Sequence, residues 1–371
     1  MTFFLVAGEA SGDRLGAALM AGLRQLQPGA GFAGVGGALM QKQGLESLFP
    51  MDELSIMGLV EILPRYRQLK RRIRQTAEAC LASGAKALIT IDSPDFGLRV
   101  AALVRAANPA IRTIHYVAPS VWAWRPGRAA RMARVIDHVL ALLPFEPPYM
   151  TAAGMSCDFV GHPVVAEALA SPAEQARFTA PGPLILALPG SRRAEITRLA
   201  PVFGASLARV RDSHPDLRVV LPTLPGLVPL VQAVTADWPL RPQIVTDMAE
   251  KRGAFAAANA ALAASGTVSL ELAANGCPMV IAYDMNRLTL WLMRRAARID
   301  TVTLVNLVAD SRVVPEFIGA ACRPDLIAPA LLDVLAHPQA QQAAMALTMA
   351  RLGQGGEAPG LRAARSVLSA L

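Results

Sequence analysis

"SPAEQARFTAPGPLILALPGS" (171–191) is the stretch where the chain begins its pattern a second time. Residues 171–183 carry Pro, Ala and Gly without apolar periodicity and read as a linker. Residues 184–191 form a short apolar run that stops at Pro189-Gly190, the mark of a buried strand meeting a turn. Before the linker, "FFLVAG" (3–8), "KALITID" (86–92), "RTIHYVAP" (112–119), "HVLALLPF" (138–145) and "CDFVGHP" (157–163) are β-type runs with helical segments between them. After it come a helix to about Arg211, then "LRVVLPT" (217–223), "PQIVT" (242–246), "AALAASG" (260–266) and "PMVIAY" (278–283). This alternation predicts parallel sheets with crossover helices. The expected fold class is α/β, with two doubly wound Rossmann-like domains, 1–170 and 184–350, facing a cleft. A C-terminal helical segment, 351–371, is expected to cross back to the first domain or to pair with another chain, as a homodimer would. Ligands of such sheets bind beyond the carboxyl ends of the strands, so the cleft is the expected site.

A chain of 371 residues exceeds what one hydrophobic core usually supports, which agrees with two domains. Its 53% hydrophobic and 17% charged content is that of a globular protein and excludes disorder. The net charge of +8, nearly all from arginine, favours an anionic partner: nucleic acid, a phosphorylated small molecule or an anionic membrane face. An arginine-rich proteome is the competing cause. No helix-turn-helix, zinc-finger or RNP pattern accompanies the charge, so nucleic acid is not expected. Cys80, Cys157, Cys277 and Cys322 are far apart, without CxxC or Cys/His spacing. Neither a disulfide framework nor a zinc site is expected, and a reducing compartment fits. The first residues lack a basic stretch and a signal-peptide core, and the longest uncharged run, 253–270, reads as core rather than a bilayer span.

Several turns carry chemistry. "VAGEASGD" (6–13) is a strand, a glycine turn and a helix start. Gly8 allows close backbone approach, Ser11 or Asp13 can cap the helix, and free N–H groups there suit a phosphate. It is neither a P-loop nor GxGxxG, and "GVGG" (34–37) is similarly short of a dinucleotide fingerprint; a plain tight turn competes for both. In "LALPGSRRAEI" (186–196), Gly190 turns the chain, Ser191 can cap a helix, and Arg192 and Arg193 sit in its first turn, which together make an anion site. Pairing of Glu195 with one arginine is the alternative. "ASGTVSLELAANGCP" (264–278) repeats the logic: Ser265, Gly266 and Thr267 make the turn, and Glu271 projects one helical turn beyond Thr267, where ribose hydroxyls could be held.

"IDSPDFG" (91–97) puts Asp92 at a strand's carboxyl end, where it could take a proton from an attacking hydroxyl or serve structure alone. Pro94 is expected to keep Ser93 extended, and Asp95 to cap the next helix. His115 and His162 read as core histidines, and Asn306 as a buried polar group in need of partners. "IHYVAPSVWAWRPGRAAR" (114–131) places Trp122 and Trp124, two of only four tryptophans, in a loop with Arg125, Arg128 and Arg131. "MGLVEILPRYRQLKRRIRQ" (57–75) and "NRLTLWLMRRAARI" (286–299) mix basic and apolar residues, as a helix on anionic lipid does; a solvated helix face over core competes.

Taken in order, "VAGEASGD", "IDSPDF", "IHYVAPSVWAW", "LPFE", "FVGHP", "LPGSR", "ASGT" and "LVNLVA" resemble the lipid-A-disaccharide synthases from Val6 to about Pro315. "PSVWAW" and "GEASGD" are the most specific of these. Ala38 and Ala118 depart from the family pattern at positions that bear no proposed chemistry. The resemblance implies an inverting glycosyltransferase of the GT-B class. Its members join UDP-2,3-diacylglucosamine to 2,3-diacylglucosamine 1-phosphate at the inner face of the cytoplasmic membrane, giving the β-1,6-linked lipid A precursor and UDP. It also implies no metal and no cofactor, and an anionic membrane surface as partner. Carried over, Asp92 is the base for the acceptor's 6-hydroxyl, Arg192 serves the leaving diphosphate, and Asn306 is needed for activity. Gly190, Ser191, Arg192, Ser265, Gly266, Thr267 and Glu271 are the expected donor contacts. Glu9, Ser11, Gly12, Trp122, Trp124 and Arg125 are the expected acceptor contacts. Competing readings are a UDP-N-acetylglucosamine 2-epimerase or another lipid-linked transferase of this fold, a dehydrogenase, and a non-catalytic nucleotide-binding protein at a membrane surface. The tryptophan pair counts against a wholly soluble substrate, and the missing GxGxxG against a dehydrogenase.

Overall fold

A computed structural model describes residues 1–54, 59–286, 290–291, 295 and 297–371, with no side chains for 59–66. The two basic, apolar stretches at 57–75 and 286–299 thus fall partly outside the described residues, the Arg65 side chain and all of Leu288, Leu292, Met293 and Arg294 included. No described helix is long and apolar enough to cross a membrane.

The chain forms two compact units, Met1–Ala166 with Gly355–Leu371, and Glu167–Gln354. In the first unit the strands are β1 (Thr2–Ala7), β2 (Gly31–Val35), β3 (Glu46–Ser47), β4 (Ala87–Ile91), β5 (Arg112–Tyr116), β6 (His138–Ala141) and β7 (Ser156–Phe159). They form one parallel sheet in the order β3-β2-β1-β4-β5-β6-β7. In the second unit β8 (Leu184–Leu188), β9 (Arg218–Pro222), β10 (Gln243–Val245), β11 (Ala260–Ala263), β12 (Met279–Tyr283) and β13 (Glu316–Ile318) form a parallel sheet in the order β10-β9-β8-β11-β12-β13. Each order reverses once, between β1 and β4 and between β8 and β11. At such a switch point the helices that follow the two strands leave to opposite faces and open a crevice.

The strands are nearly continuous apolar runs because both faces of each sheet are covered. In β1, Phe4 and Val6 join the core under the helices Leu59–Ala82 and Pro94–Ala107, with Ile73, Ala77 and Val100. Phe3, Leu5 and Ala7 face the other way, onto Leu15, Leu19 and Leu23 of helix Ala10–Leu26 and Ala363 and Val367 of helix Pro359–Ser369. All ten strands expected from the apolar runs are present. β2, β3 and β13 were not expected: β2 is glycine-bearing, β3 is two residues long, and β13 is half-buried at a sheet edge. Gly34 of β2 sits at φ 138°, and a Cβ there would lie 1.8 Å from the Leu5 carbonyl oxygen, so the strand pairing itself requires glycine.

The expected linker is a correction. Residues 171–183 belong to the second unit, because "SPAE" is a capping box: Ser171 Oγ accepts from the Glu174 N–H at 3.2 Å and Glu174 Oε2 accepts from the Ser171 N–H at 2.8 Å. The helix so started, Pro172–Ala176, packs on helix Met248–Ala257 through ion pairs of Glu174 with Arg252 and of Arg177 with Glu250.

The C-terminal helix Pro359–Ser369 returns to the first unit and crosses helix Ala10–Leu26 at glycines. A Cβ on Gly22 would lie 2.6 Å from the Gly360 carbonyl, and one on Gly360 would lie 2.6 Å from the Ala18 carbonyl. Ser366 Oγ donates to Asp158 at 2.6 Å and meets His138 Nε2 at 2.7 Å, while Arg362 donates to the Phe159 carbonyl at 2.7 Å. Backbone carbonyls cannot yield as side chains can, so Gly360→Leu is expected to destabilise the protein by about 1–3 kcal/mol, read as a lower urea midpoint.

Candidate active site

The switch point of the first unit holds Asp92. Its Oδ2 accepts from Ser11 Oγ at 3.0 Å and its Oδ1 from the Ser93 N–H at 3.0 Å, so the helix start after β1 and the turn after β4 each fix one carboxylate oxygen. Asp92 and Ser93 both have positive φ, 52° and 41°. Five non-glycine residues among those described do so, and four of them, Asp92, Ser93, Val117 and Arg125, lie just past β4 and β5. Strain of that kind gathers where a site must be held in one geometry. The expectation of an extended Ser93 is therefore overturned. Its carbonyl accepts from the Phe96 and Gly97 N–H groups at 3.2 and 3.1 Å, which closes the first turn of helix Pro94–Ala107 and outweighs the influence of Pro94. Asp95 lies inside that turn, and Ser93, not Asp95, occupies the cap position. Gly8 does allow a close approach: a Cβ would lie 2.6 Å from Ser93 Oγ.

Around this pair the roles shift. Asp13 does not cap its own helix. It is buried and accepts from the N–H groups of Gly37, Leu39 and Met40, each at 2.9 Å, and so caps helix Ala38–Lys42 after "GVGG". Glu9 stands at the cap position of helix Ala10–Leu26 without a side-chain cap bond. Gly12, expected at the acceptor, is buried, and its missing Cβ faces the Ile91 carbonyl at 3.2 Å; it is a packing glycine that brings the helix against β4.

The two tryptophans divide. Trp122 stacks edge-on against Phe145, with ring centroids 5.1 Å apart, and its Nε1–H donates to Glu146 Oε1 at 3.2 Å. Trp124 is 36% exposed, with the Arg125 guanidinium 4.3 Å and that of Arg128 6.0 Å from its ring. Glu146 was not expected. It is 4% exposed, and its Oε2 also accepts from the Leu142 and Leu143 N–H groups at 3.1 and 3.0 Å. Burial pushes its carboxyl up to about 7 despite those three donors.

His115 is a core histidine, as expected: it is 1% exposed, with Nδ1 2.7 Å from Thr90 Oγ1, and burial lowers its pKa to about 4. Below the ordinary histidine value of 6.5 the unfolded chain takes up a proton that the folded one refuses until about 4, so stability is lost as pH falls through this window. Between pH 7 and 5 this group alone is expected to remove about 2 kcal/mol, and His115→Gln to be correspondingly less acid-sensitive in urea melts.

In the second unit the turns after β8 and β11 open on one cavity of about 510 Å³. All seven expected donor contacts line it: Gly190, Ser191, Arg192, Ser265, Gly266, Thr267 and Glu271. Gly190 has φ 108°, and a Cβ there would lie 2.5 Å from Glu195 Oε2. Ser191 does not cap the helix Arg193–Ser213. Arg192 holds the cap position, and Glu195 Oε2 accepts from the Ser191 and Arg192 N–H groups at 3.3 Å, taking up donors expected to be free for phosphate. Two cations line the cavity: Arg192, 64% exposed and paired to Glu195 at 2.9 Å, and Lys251. Glu195 is anchored further by Tyr283 Oη at 3.2 Å. Glu271 meets Lys251 Nζ at 2.6 Å, and Leu224, Val245, Met248 and Phe255 form an apolar wall. Lys251 and Phe255 escaped the sequence reading. The signal was present: Asp247 accepts from the Ala249 and Glu250 N–H groups at 2.8 and 3.0 Å and starts the helix that carries both.

Asn306 lies elsewhere in this unit, 1% exposed, on helix Leu304–Ala309. Its Nδ2 donates to Thr301 Oγ1 at 3.2 Å and the Val314 carbonyl at 3.0 Å, and its Oδ1 accepts from the Val314 N–H at 3.0 Å. Both ends of the amide are engaged within the 301–314 segment.

Comparison with known proteins joins these features. The family model for lipid-A-disaccharide synthetase matches residues 3–363. The lipid-A-disaccharide synthase of Ruegeria pomeroyi is 61% identical over 384 residues, covering 100% of this chain and 96% of that one. That of Rhodospirillum centenum is 48% identical over 381 residues, covering 100% and 95%. Among solved structures, a putative UDP-N-acetylglucosamine 2-epimerase from Listeria monocytogenes aligns with a TM-score of 0.63 at 13% identity, covering 100% of this chain and 95% of that one. MurG of Acinetobacter baumannii aligns at 0.56 and 16%, covering 96% of each. At such identities these structures attest the fold alone, two Rossmann-like units of the GT-B kind, whereas the sequence relatives attest descent. The chain belongs to the lipid-A-disaccharide synthase family.

Proposed function

We infer that the protein joins UDP-2,3-diacylglucosamine to 2,3-diacylglucosamine 1-phosphate, forming the β-1,6-linked disaccharide 1-phosphate and releasing UDP. The observation that carries this reading is the pair of switch points. One holds a carboxylate by both oxygens, and the other opens a cavity beside an exposed arginine. The acceptor's 6-hydroxyl oxygen attacks the anomeric carbon of the donor, and its proton passes to Asp92. The bond from that carbon to the diphosphate oxygen breaks, and the electron pair leaves with UDP. Arg192 and the hydroxyls of Ser265 and Thr267 meet the charge that develops on the diphosphate. The apolar wall of Leu224, Val245, Met248 and Phe255 suits the flat uracil ring, and Glu271, oriented by Lys251, suits the ribose hydroxyls. Asn306 acts by positioning the 301–314 segment.

Trp124, Arg125 and Arg128 offer an amphipathic, cationic contact for an acylated phosphosugar. Trp291, 51% exposed with Arg295 4.5 Å from its ring, adds the same chemistry in the second unit. Both suit a protein that works peripherally at an anionic membrane face, where its substrates reside.

The test is to incubate purified protein with both sugars in EDTA and follow UDP and disaccharide by mass spectrometry. Equal amounts of the two are expected. Release of neither, or a 2-epimer from UDP-N-acetylglucosamine instead, would reject the reading.

A further inference from the structure

Among the described residues, Glu146 is a buried acid whose carboxylate is wholly used in holding other groups. It follows β6, and Trp122 follows β5, so the two loops stand side by side at the carboxyl ends of neighbouring strands. The three groups that reach its oxygens are all donors: the indole N–H of Trp122, and the backbone N–H groups of Leu142 and Leu143. The edge-on contact of Trp122 with Phe145 brings the same two loops together a second time. The exposed half of the tryptophan loop, Trp124 with Arg125, is otherwise held by contacts within the loop and the helix it leads into: the Arg125 and Arg128 guanidinium groups lie over the Trp124 ring, and the Arg125 carbonyl accepts from the Arg128 N–H at 3.0 Å. Arg125 is itself at φ 50°, and the loop is tied internally by bonds from the Ala123 and Trp124 N–H groups to the Ser120 carbonyl at 3.1 and 3.2 Å.

We propose that Glu146 is a positioning residue for the acceptor: its carboxylate clamps Trp122 and so holds Trp124 and Arg125 where the acylated phosphosugar meets them. This rests on the reading that Trp124 and Arg125 contact the acceptor. The physical reason is donor counting. Ionised, as it is above about pH 7, the carboxylate can accept from all three N–H groups at once, whereas an amide presents its own N–H₂ to at least one of them and leaves a buried donor opposed. No other side chain of this size serves all three.

The experiment measures steady-state kinetics of the full-length protein above pH 8 with each substrate varied in turn, for wild type, Glu146→Gln, Trp122→Phe, the double variant of these two and Trp124→Ala, with Trp fluorescence and melting recorded for each. Trp122→Phe keeps the ring contact with Phe145 and removes only the N–H. For Glu146→Gln and Trp122→Phe the expected result is an acceptor KM raised about 10-fold with donor KM unchanged, as the loss of one buried charge-assisted bond implies. The double variant is expected to be no worse than either single one, because both remove the same link. If Glu146→Gln fails to fold, Trp122→Phe carries the test alone. Trp124→Ala separates the two claims. If it raises acceptor KM while Trp122→Phe and any folded Glu146→Gln do not, the clamp is wrong and the acceptor loop stands. If Trp124→Ala also leaves acceptor KM unchanged, the loop reading falls, and the clamp falls with it. A fall in kcat for Glu146→Gln with both KM values unchanged would overturn the proposal as well.

Discussion

Asp92→Asn is expected to lower kcat about 10²–10⁴-fold, the usual worth of a positioned general base, with little change in either KM. The asparagine keeps one acceptor oxygen for Ser11 or for the Ser93 N–H but cannot receive the hydroxyl's proton. Because Asp92 sits at φ 52°, a conformation that asparagine tolerates among the best of non-glycine residues, the fold should survive and the loss should be chemical. Steady-state kinetics with a matched melting curve checks this. A variant retaining more than a tenth of the wild-type rate would remove Asp92 from the role of base.

The second large effect concerns the leaving group. Arg192→Ala is expected to lower kcat about 10²–10³-fold, the range seen when one preorganised donor to a developing anion is removed. Its ion pair with Glu195 is 64% exposed on the arginine side, so stability should change by less than about 1 kcal/mol. Arg192→Lys should restore only part of the rate, since an ammonium keeps the charge but not the planar fork that matches two phosphate oxygens. Equal losses in Lys and Ala variants would mean that geometry, rather than charge, carries the effect.

What could be read from the sequence followed from how local each signal is. The ten long apolar runs became strands because a sheet buried on both faces needs continuous apolar residues. The turns after β1, β4, β8 and β11 were placed by their glycines, prolines and hydroxyls, and the topology put all four at switch points. Two of the parts that were missed depended on partners distant in the chain, and two on local bonds that proline and glycine obscured. Asp13 looks like a cap for its own helix, but its three donors come from Gly37, Leu39 and Met40. Glu146 sits in an ordinary "LPFE" turn, from whose Leu142 and Leu143 N–H groups it accepts, and its third donor, Trp122, comes from the neighbouring loop. Ser93 was judged by the proline after it, when the helix it begins and the Asp92 side chain decided its backbone. The 171–183 segment was taken as a linker because its Pro and Gly residues hid a capping box that needs only four residues. Asn306 was rightly singled out as a polar group that would need partners. The structure supplies them from Thr301 and Val314, which engage both ends of its amide.

The proposed reaction is a single displacement at the anomeric carbon, with Asp92 as base and Arg192 at the leaving diphosphate. It is tested most directly by the configuration of the new glycosidic bond, read by proton NMR of the purified disaccharide. UDP-sugars of this type are α-linked, so one displacement predicts a β linkage and no covalent sugar–protein intermediate. An α-linked product would require two displacements or an ion-pair return on one face, and would contradict the account.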